Sequence, residues 1–173
     1  MRHPARRRTV RLMKALIVYE SQFGNTEKVA RAIAEGVATS GRVEVVAVDT
    51  APTVLPDDVD LLLVGGPTHV FSMSRVQTRA DAAKDAPTPT RRGIREWLAQ
   101  ASSASGRLRV ATFGTKQGHG RLSGSAATAA AKAARAHGLS VDAVEDFFVT
   151  GRSGPLEEGE LERATAWGRA LGR

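Results

Sequence analysis

The sequence predicts one α/β domain, a doubly wound five-stranded parallel sheet in the order 2-1-3-4-5 with helices on both faces. Three observations lead there. Short apolar runs alternate with segments whose apolar residues recur at helical spacing. The first and third runs are near-continuous in Val, Ile and Leu, as strands covered on both faces are. The segments after the first, third and fourth runs are rich in glycine and hydroxyl residues.

Lys14 to Tyr19 reads as the first strand, and Thr26 to Thr39 as a helix with Val29, Ala30, Ile33, Ala34 and Val37 on one face. Val43 to Val48 and Val59 to Val64 are the second and third strands. A long segment from Gly65 to Arg92 holds three prolines and a short helix near Arg75 to Lys84. Ile94, Trp97, Leu98 and Ala101 repeat at helical spacing. Leu108 to Phe113 is the fourth strand, and a glycine-rich loop runs from Gly114 to Gly124. The alanine-rich Ser125 to His137 is a strong helix former. Ser140 to Thr150 is the fifth strand. Pro155, Glu157 and Glu158 suit the start of a last helix carrying Leu161, Ala164, Trp167 and Leu171. Trp97 and Trp167 both fall on apolar helical stripes and read as core.

A chain of 173 residues with 42% hydrophobic content can bury a core of its own. It has no cysteine, which excludes disulfides, thiolate metal sites and cysteine nucleophiles. The four histidines (His3, His69, His119, His137) lack metal-ligand spacing, so no metal is expected. No apolar run approaches the ~20 residues of a membrane span, and no export signal is evident, so the reading is cytoplasmic. The formal charge is +7, but five arginines within residues 1–12 leave only +2 on residues 13–173. Residues 1–12 read as a disordered basic extension and 13–173 as the domain. The body has no basic stripe interleaved with aromatics, which argues against nucleic acid as a partner. GxGxxG, GxxxxGK[ST] and GxSxG are absent, as is the acidic cluster of a phospho-acceptor domain.

In an open α/β sheet of this order, ligands bind beyond the carboxyl ends of strands 1, 3 and 4. The first such loop is Ser21, Gln22, Phe23, Gly24, Asn25 and Thr26. Its hydroxyls, its glycine and the following helix start suit an anion held by backbone N–H groups. Asn25 or Thr26 would equally serve as an ordinary helix cap. The second loop, Gly65 to Met73, contains Pro67, Thr68, His69, Val70 and Phe71. The third, Thr112 to Gly120, contains Phe113, Gly114, Thr115, Lys116, Gln117 and Gly118. Taken singly, these read also as a Gly-Pro turn and a flexible surface loop.

VYESQFGNTEKVARAI resembles the phosphate loop of flavodoxins and related FMN domains, Thr/Ser-x-Thr-Gly-x-Thr, with the match on Ser21, Gly24, Asn25 and Thr26. Phe23 stands where a middle hydroxyl is usual. Gly-x-Pro-Thr at Gly65 to Thr68 is similar to the ring-lining stretch of flavodoxin-like NAD(P)H:quinone oxidoreductases, and the third loop occupies the place of the family's other flavin-contacting loop. The resemblance covers nearly all of Met13 to Leu171. It implies a flavodoxin-like fold, FMN as cofactor, and all the residues just named in the three loops as its binding set.

The resemblance further implies electron transfer to a redox partner protein, or NAD(P)H-dependent quinone reduction, often in an oligomer. Lys116 and His119, if near the flavin's pyrimidine end, would stabilise the reduced ring. No side chain need act as acid or base. A flavodoxin-like module that has lost flavin and serves as a binding scaffold is the alternative. Phe23 and the lack of a Tyr or Trp in the flavin loops favour it.

Overall fold

The computed structural model describes residues 11–173. The expected basic arm lies, up to residue 10, outside the described residues. Strands β1 (Met13–Tyr19), β2 (Gly41–Ala47), β3 (Leu61–His69), β4 (Ser72–Met73), β5 (Arg109–Gln117) and β6 (Val141–Val149) alternate with α1 (Asn25–Val37), α2 (Val76–Ala83), α3 (Ile94–Leu98), α4 (Ala126–Ala136) and α5 (Glu160–Leu171). The main sheet runs β2-β1-β3-β5-β6, all parallel. This is the expected order, with the two-residue β4 added as an antiparallel flap on β3.

The continuous apolar runs acquire their meaning here. Successive side chains of a strand point to opposite faces. Leu16, Val18, Leu62, Val64 and Val110 pack with Trp97 and Leu98 of α3 and Ala126, Ala130 and Ala134 of α4. Ala15, Ile17, Leu61, Leu63, Ala111, Phe113 and Phe147 pack on the other face with Val29, Ile33 and Val37 of α1 and Ala164 and Leu171 of α5. Trp97 is fully buried, its Nε1 donating to Pro52 O at 3.1 Å. Helices α1 and α5 touch backbone to backbone: a Cβ on Gly36 would strike Thr165 O, and one on Gly168 would strike Ile33 O.

Two expected loops prove shorter. β3 and β5 continue past Val64 and Phe113, pairing Gly65 with Phe113, Gly66 with Gly114 and Pro67 with Thr115. Glycine and proline are poor strand formers, yet each strand here completes its neighbour's ladder, and pairing overrides propensity. The turn after β3 reduces to Val70 and Phe71, both left-handed (φ 46° and 69°). The last helix also starts later than Pro155. Thr150 N donates to Pro155 O at 2.9 Å and Glu157 N to Phe148 O at 2.9 Å, so this segment folds back along β6. Gly159, at φ 82°, then turns the chain into α5.

Candidate functional site

The carboxyl ends of β1, β3 and β5, with the end of β6, surround one cavity of 560 Å³. That lies in the ordinary range for a small-molecule site. β1 delivers the chain into its floor: Glu20 N donates to Gly65 O at 2.9 Å, and Ser21 follows. Ser21 Oγ accepts from Gly24 N at 3.1 Å, closing a tight turn. Gly24 has φ 87°, a conformation costly for other residues. The first bond into α1 is Lys28 N to Gly24 O at 3.0 Å, and no side chain caps the helix. Among the described residues, the N–H groups of Phe23, Asn25, Thr26 and Glu27 therefore find no protein acceptor. They form the positive end of a 13-residue helix. The Thr26 and Thr115 hydroxyls meet at 2.7 Å, joining the first and third loops.

Gln22 is 1% exposed and lines the cavity. Its Nε2 donates to Arg79 O at 3.3 Å, while its Oε1 has no partner. A buried acceptor left free on a cavity wall suits a donor from a bound molecule.

Pro67, Thr68, His69, Val70 and Phe71 form a second wall. Thr68 Oγ1 accepts from Ala126 N at 3.0 Å and so holds the start of α4. Val70 and Phe71 remain 75% and 67% exposed at the mouth, large apolar surfaces that an inner core would normally claim. Burial, and after it the cations of Arg152 and Arg79, push the His69 pKa down, so its imidazole is neutral at pH 7.

Thr115, Lys116 and Gln117 complete the third wall. Lys116 is 9% exposed, with Nζ 3.9 Å from Asp146 Oδ2. Burial raises the Asp146 pKa, against a hydrogen bond from Ser125 and the Lys116 charge.

Of the residues singled out by sequence, Ser21, Gln22, Phe23, Asn25, Thr26, Pro67, Thr68, His69, Val70, Phe71, Thr115, Lys116 and Gln117 all line this cavity. Gly24, Phe113, Gly114 and Gly118 do not. Gly24 shapes the turn behind the wall. Phe113 is fully buried in the cluster under α1 and α5, because its side chain points to the opposite face from Thr112. Gly114 lies against Ala127, where a Cβ would sit 3.0 Å from its N. His119 is also elsewhere: its ring stacks on Phe148 at 3.7 Å and its Nε2 lies 2.9 Å from Glu157 Oε2. Lys116 is thus left without the second cation expected beside it.

Thr78, Asp81 and Ala82 of α2, Ser123, Val149 and Arg152 line the cavity unannounced by any motif. For Val149 and Arg152 a signal existed, since both stand at the carboxyl end of a strand of the same sheet. The α2 residues come from a segment whose placement no local pattern specifies. Below α2 lies a polar cluster. Arg79, 4% exposed, has Nη2 3.1 Å from Glu96 Oε2 and donates through Nη1 to Ser74 Oγ at 2.9 Å. Glu20, 1% exposed, accepts from Ile94 N at 3.0 Å.

Among the described residues, no helix is long and apolar enough to cross a membrane. No group of three or more potential metal-ligating side chains occurs among them either.

A comparison with curated protein sequences finds no significant match. Solved structures similar in fold include a flavodoxin from the domain Archaea. It is 21% identical, with 92% of this chain and 96% of that one covered and a TM-score of 0.62. Oxidised flavodoxin 2 from Bacillus cereus is 18% identical, with 92% and 99% covered and a TM-score of 0.59. Two-electron reduced Megasphaera elsdenii flavodoxin is 20% identical, with 90% and 98% covered and a TM-score of 0.56. The flavodoxin family model matches residues 17–106, which takes in the end of β1, the Ser21–Thr26 turn, α1, β3 and the Pro67–Phe71 wall. The chain belongs to the flavodoxin family, whose members bind FMN as cofactor.

Proposed function

We propose that this cavity holds FMN and that the chain is a cytoplasmic electron-transfer protein working through it. The observation that carries the reading is the uncapped start of α1, whose free N–H groups open onto the same cavity as the orphaned Gln22 Oε1. This donor and acceptor set fits a phosphate monoester joined to a hydroxylated chain. The Ser21–Thr26 turn would hold the phosphate. Pro67 to Phe71 and Thr115 to Gln117 would flank the ring, with Phe113, Gly114 and Gly118 supporting them from behind.

FMN supplies one- and two-electron chemistry when bound; the protein positions it and sets its electrostatic surroundings. Lys116 would place a buried positive charge where reduction adds negative charge. Val70 and Phe71 would shield one edge of the ring from water. His69, held neutral, would add a hydrogen-bonding ring without a second charge. Similarity in fold to flavodoxins studied in oxidised and two-electron reduced states supports a redox role.

The test is to load the purified protein with FMN, remove the excess and record visible absorption and flavin fluorescence. Stoichiometric retained flavin with altered fluorescence is expected. A folded sample that retains none, and changes no fluorescence on titration, refutes the reading. It would favour the scaffold alternative, which rests on Phe23 and on the absence of Tyr and Trp from the cavity wall. With flavin bound, NAD(P)H consumption in the presence of a soluble quinone separates a reductase from a carrier that serves a protein partner.

A further inference from the structure

We infer that Arg152 supplies the positive charge for the FMN phosphate and makes the site select the phosphorylated flavin over riboflavin. The inference rests on the FMN reading of the cavity. The Ser21–Thr26 turn contains no lysine or arginine. Its N–H groups offer dipoles, whereas a phosphate monoester carries between one and two negative charges at pH 7.

Among the described residues, Lys116 and Arg152 are the lysine and arginine side chains that line the cavity. Lys116 is already engaged with Asp146. Arg152 has no carboxylate within ion-pair distance among the described residues.

The backbone of Arg152 is tied to the phosphate turn. Asn25 Nδ2 donates to Ser153 O at 3.1 Å, and Gly154 lies so close that a Cβ would enter the Asn25 amide. The Arg152 side chain therefore springs from a segment that the turn itself holds in place. Its charge also reaches His69 on the Pro67–Phe71 wall, where, after burial, it helps to lower the imidazole pKa. Asn25 and Thr26 of α1, with their free N–H groups, and Gln22, with its unpartnered Oε1, line the same cavity as Arg152. An unpaired guanidinium at that position can take two phosphate oxygens at once, which an ammonium cannot do.

The experiment is fluorescence titration of the full chain with FMN and with riboflavin, for the wild type, R152Q and R152K. R152Q is expected to weaken FMN by about tenfold or more and to leave riboflavin affinity unchanged. R152K is expected to recover part of the loss. Inorganic phosphate should raise the melting temperature of the wild type and not that of R152Q, a readout independent of flavin. If the wild type binds FMN but R152Q shows the same FMN-to-riboflavin ratio, the role of Arg152 is overturned while the FMN reading stands. A proportional loss of both flavins in R152Q, with R152K no better, overturns it as well. A wild type that binds neither flavin overturns both.

Discussion

Gly65→Ala puts the packing of β3 against β5 to a direct test. Gly65 sits in β3 opposite Phe113 of β5, and a Cβ on it would overlap Cε2 and Cζ of the Phe113 ring. Neither backbone can retreat: β3 is paired with β1 through Tyr19, and β5 with β6 through Glu145. The ring, fully buried among apolar neighbours, would have to leave its rotamer. Overpacking of this kind costs about 1–3 kcal/mol, and the depth of the overlap puts the expectation at the upper end. Phe113→Ala alone empties a ring-sized space and should cost about 3–5 kcal/mol. In the double variant the new methyl enters that space. The pair should then cost less than the sum of the singles, by about 1–3 kcal/mol. Urea unfolding followed by far-UV circular dichroism measures all three values and the slope that checks for a common unfolded state. Strict additivity, or a Gly65→Ala cost below about 0.5 kcal/mol, would refute this packing. Phe113 would then be free to face the cavity, as its sequence position suggested.

Burial raises the Glu20 pKa, against the Ser74 hydroxyl, the Ile94 N–H and the Arg79 charge. The native state therefore holds this proton more tightly than the unfolded chain, and Glu20 makes stability fall as pH rises above about 4.3. Glu20→Gln should flatten that fall, and an unchanged slope in urea unfolding between acid and neutral pH would contradict the burial. Ser125 Oγ accepts from Thr128 N at 2.9 Å and donates to Asp146 Oδ1 at 3.0 Å. Ser125→Ala should cost about 1–2 kcal/mol in the same assay and push the Asp146 pKa further up. In flavin-loaded protein, Lys116→Gln should shift the reduction potential to more negative values, because a buried cation near the added electrons is lost. His119→Ala should leave it unchanged, since that ring is held by Phe148 and Glu157; potentiometric titration of both variants decides. We propose that residues 13–173 fold without the preceding segment. A chain starting at Met13 loses the exposed Arg11–Asp60 contact of 3.0 Å and should unfold within about 1 kcal/mol of the full chain.

Much of the fold was legible because its causes are local. Continuous apolar runs such as Ala15 to Tyr19 have few folded fates, and the Val29, Ile33 and Val37 stripe specifies a helix whatever surrounds it. The tight turn from Ser21 to Thr26 was legible for the same reason. A glycine between hydroxyl-bearing residues, just before a helix, has its geometry largely decided within six residues. Even the position of the cavity followed from strand order alone, since the carboxyl edge of a doubly wound sheet is where the loops diverge.

Pairing across the sheet and the packing of distant segments decided the rest. Gly65, Gly66 and Gly114 read as loop because glycine is a poor strand former; they are strand because Phe113 fills the space a side chain at Gly65 would need, and because β3 and β5 complete each other's ladders. Phe113 and His119 sit in the expected stretch but face away from the cavity, and a side chain's face depends on register, which only the neighbouring strand sets. Arg152 lies 127 residues beyond Asn25 in the chain, and their segments meet through one amide and one carbonyl, Asn25 Nδ2 and Ser153 O. The sequence by itself determined the sheet, its helices and the tight turn before α1, because those depend on neighbours along the chain. The tertiary structure alone decided which charges share the cavity, because that depends on neighbours in space.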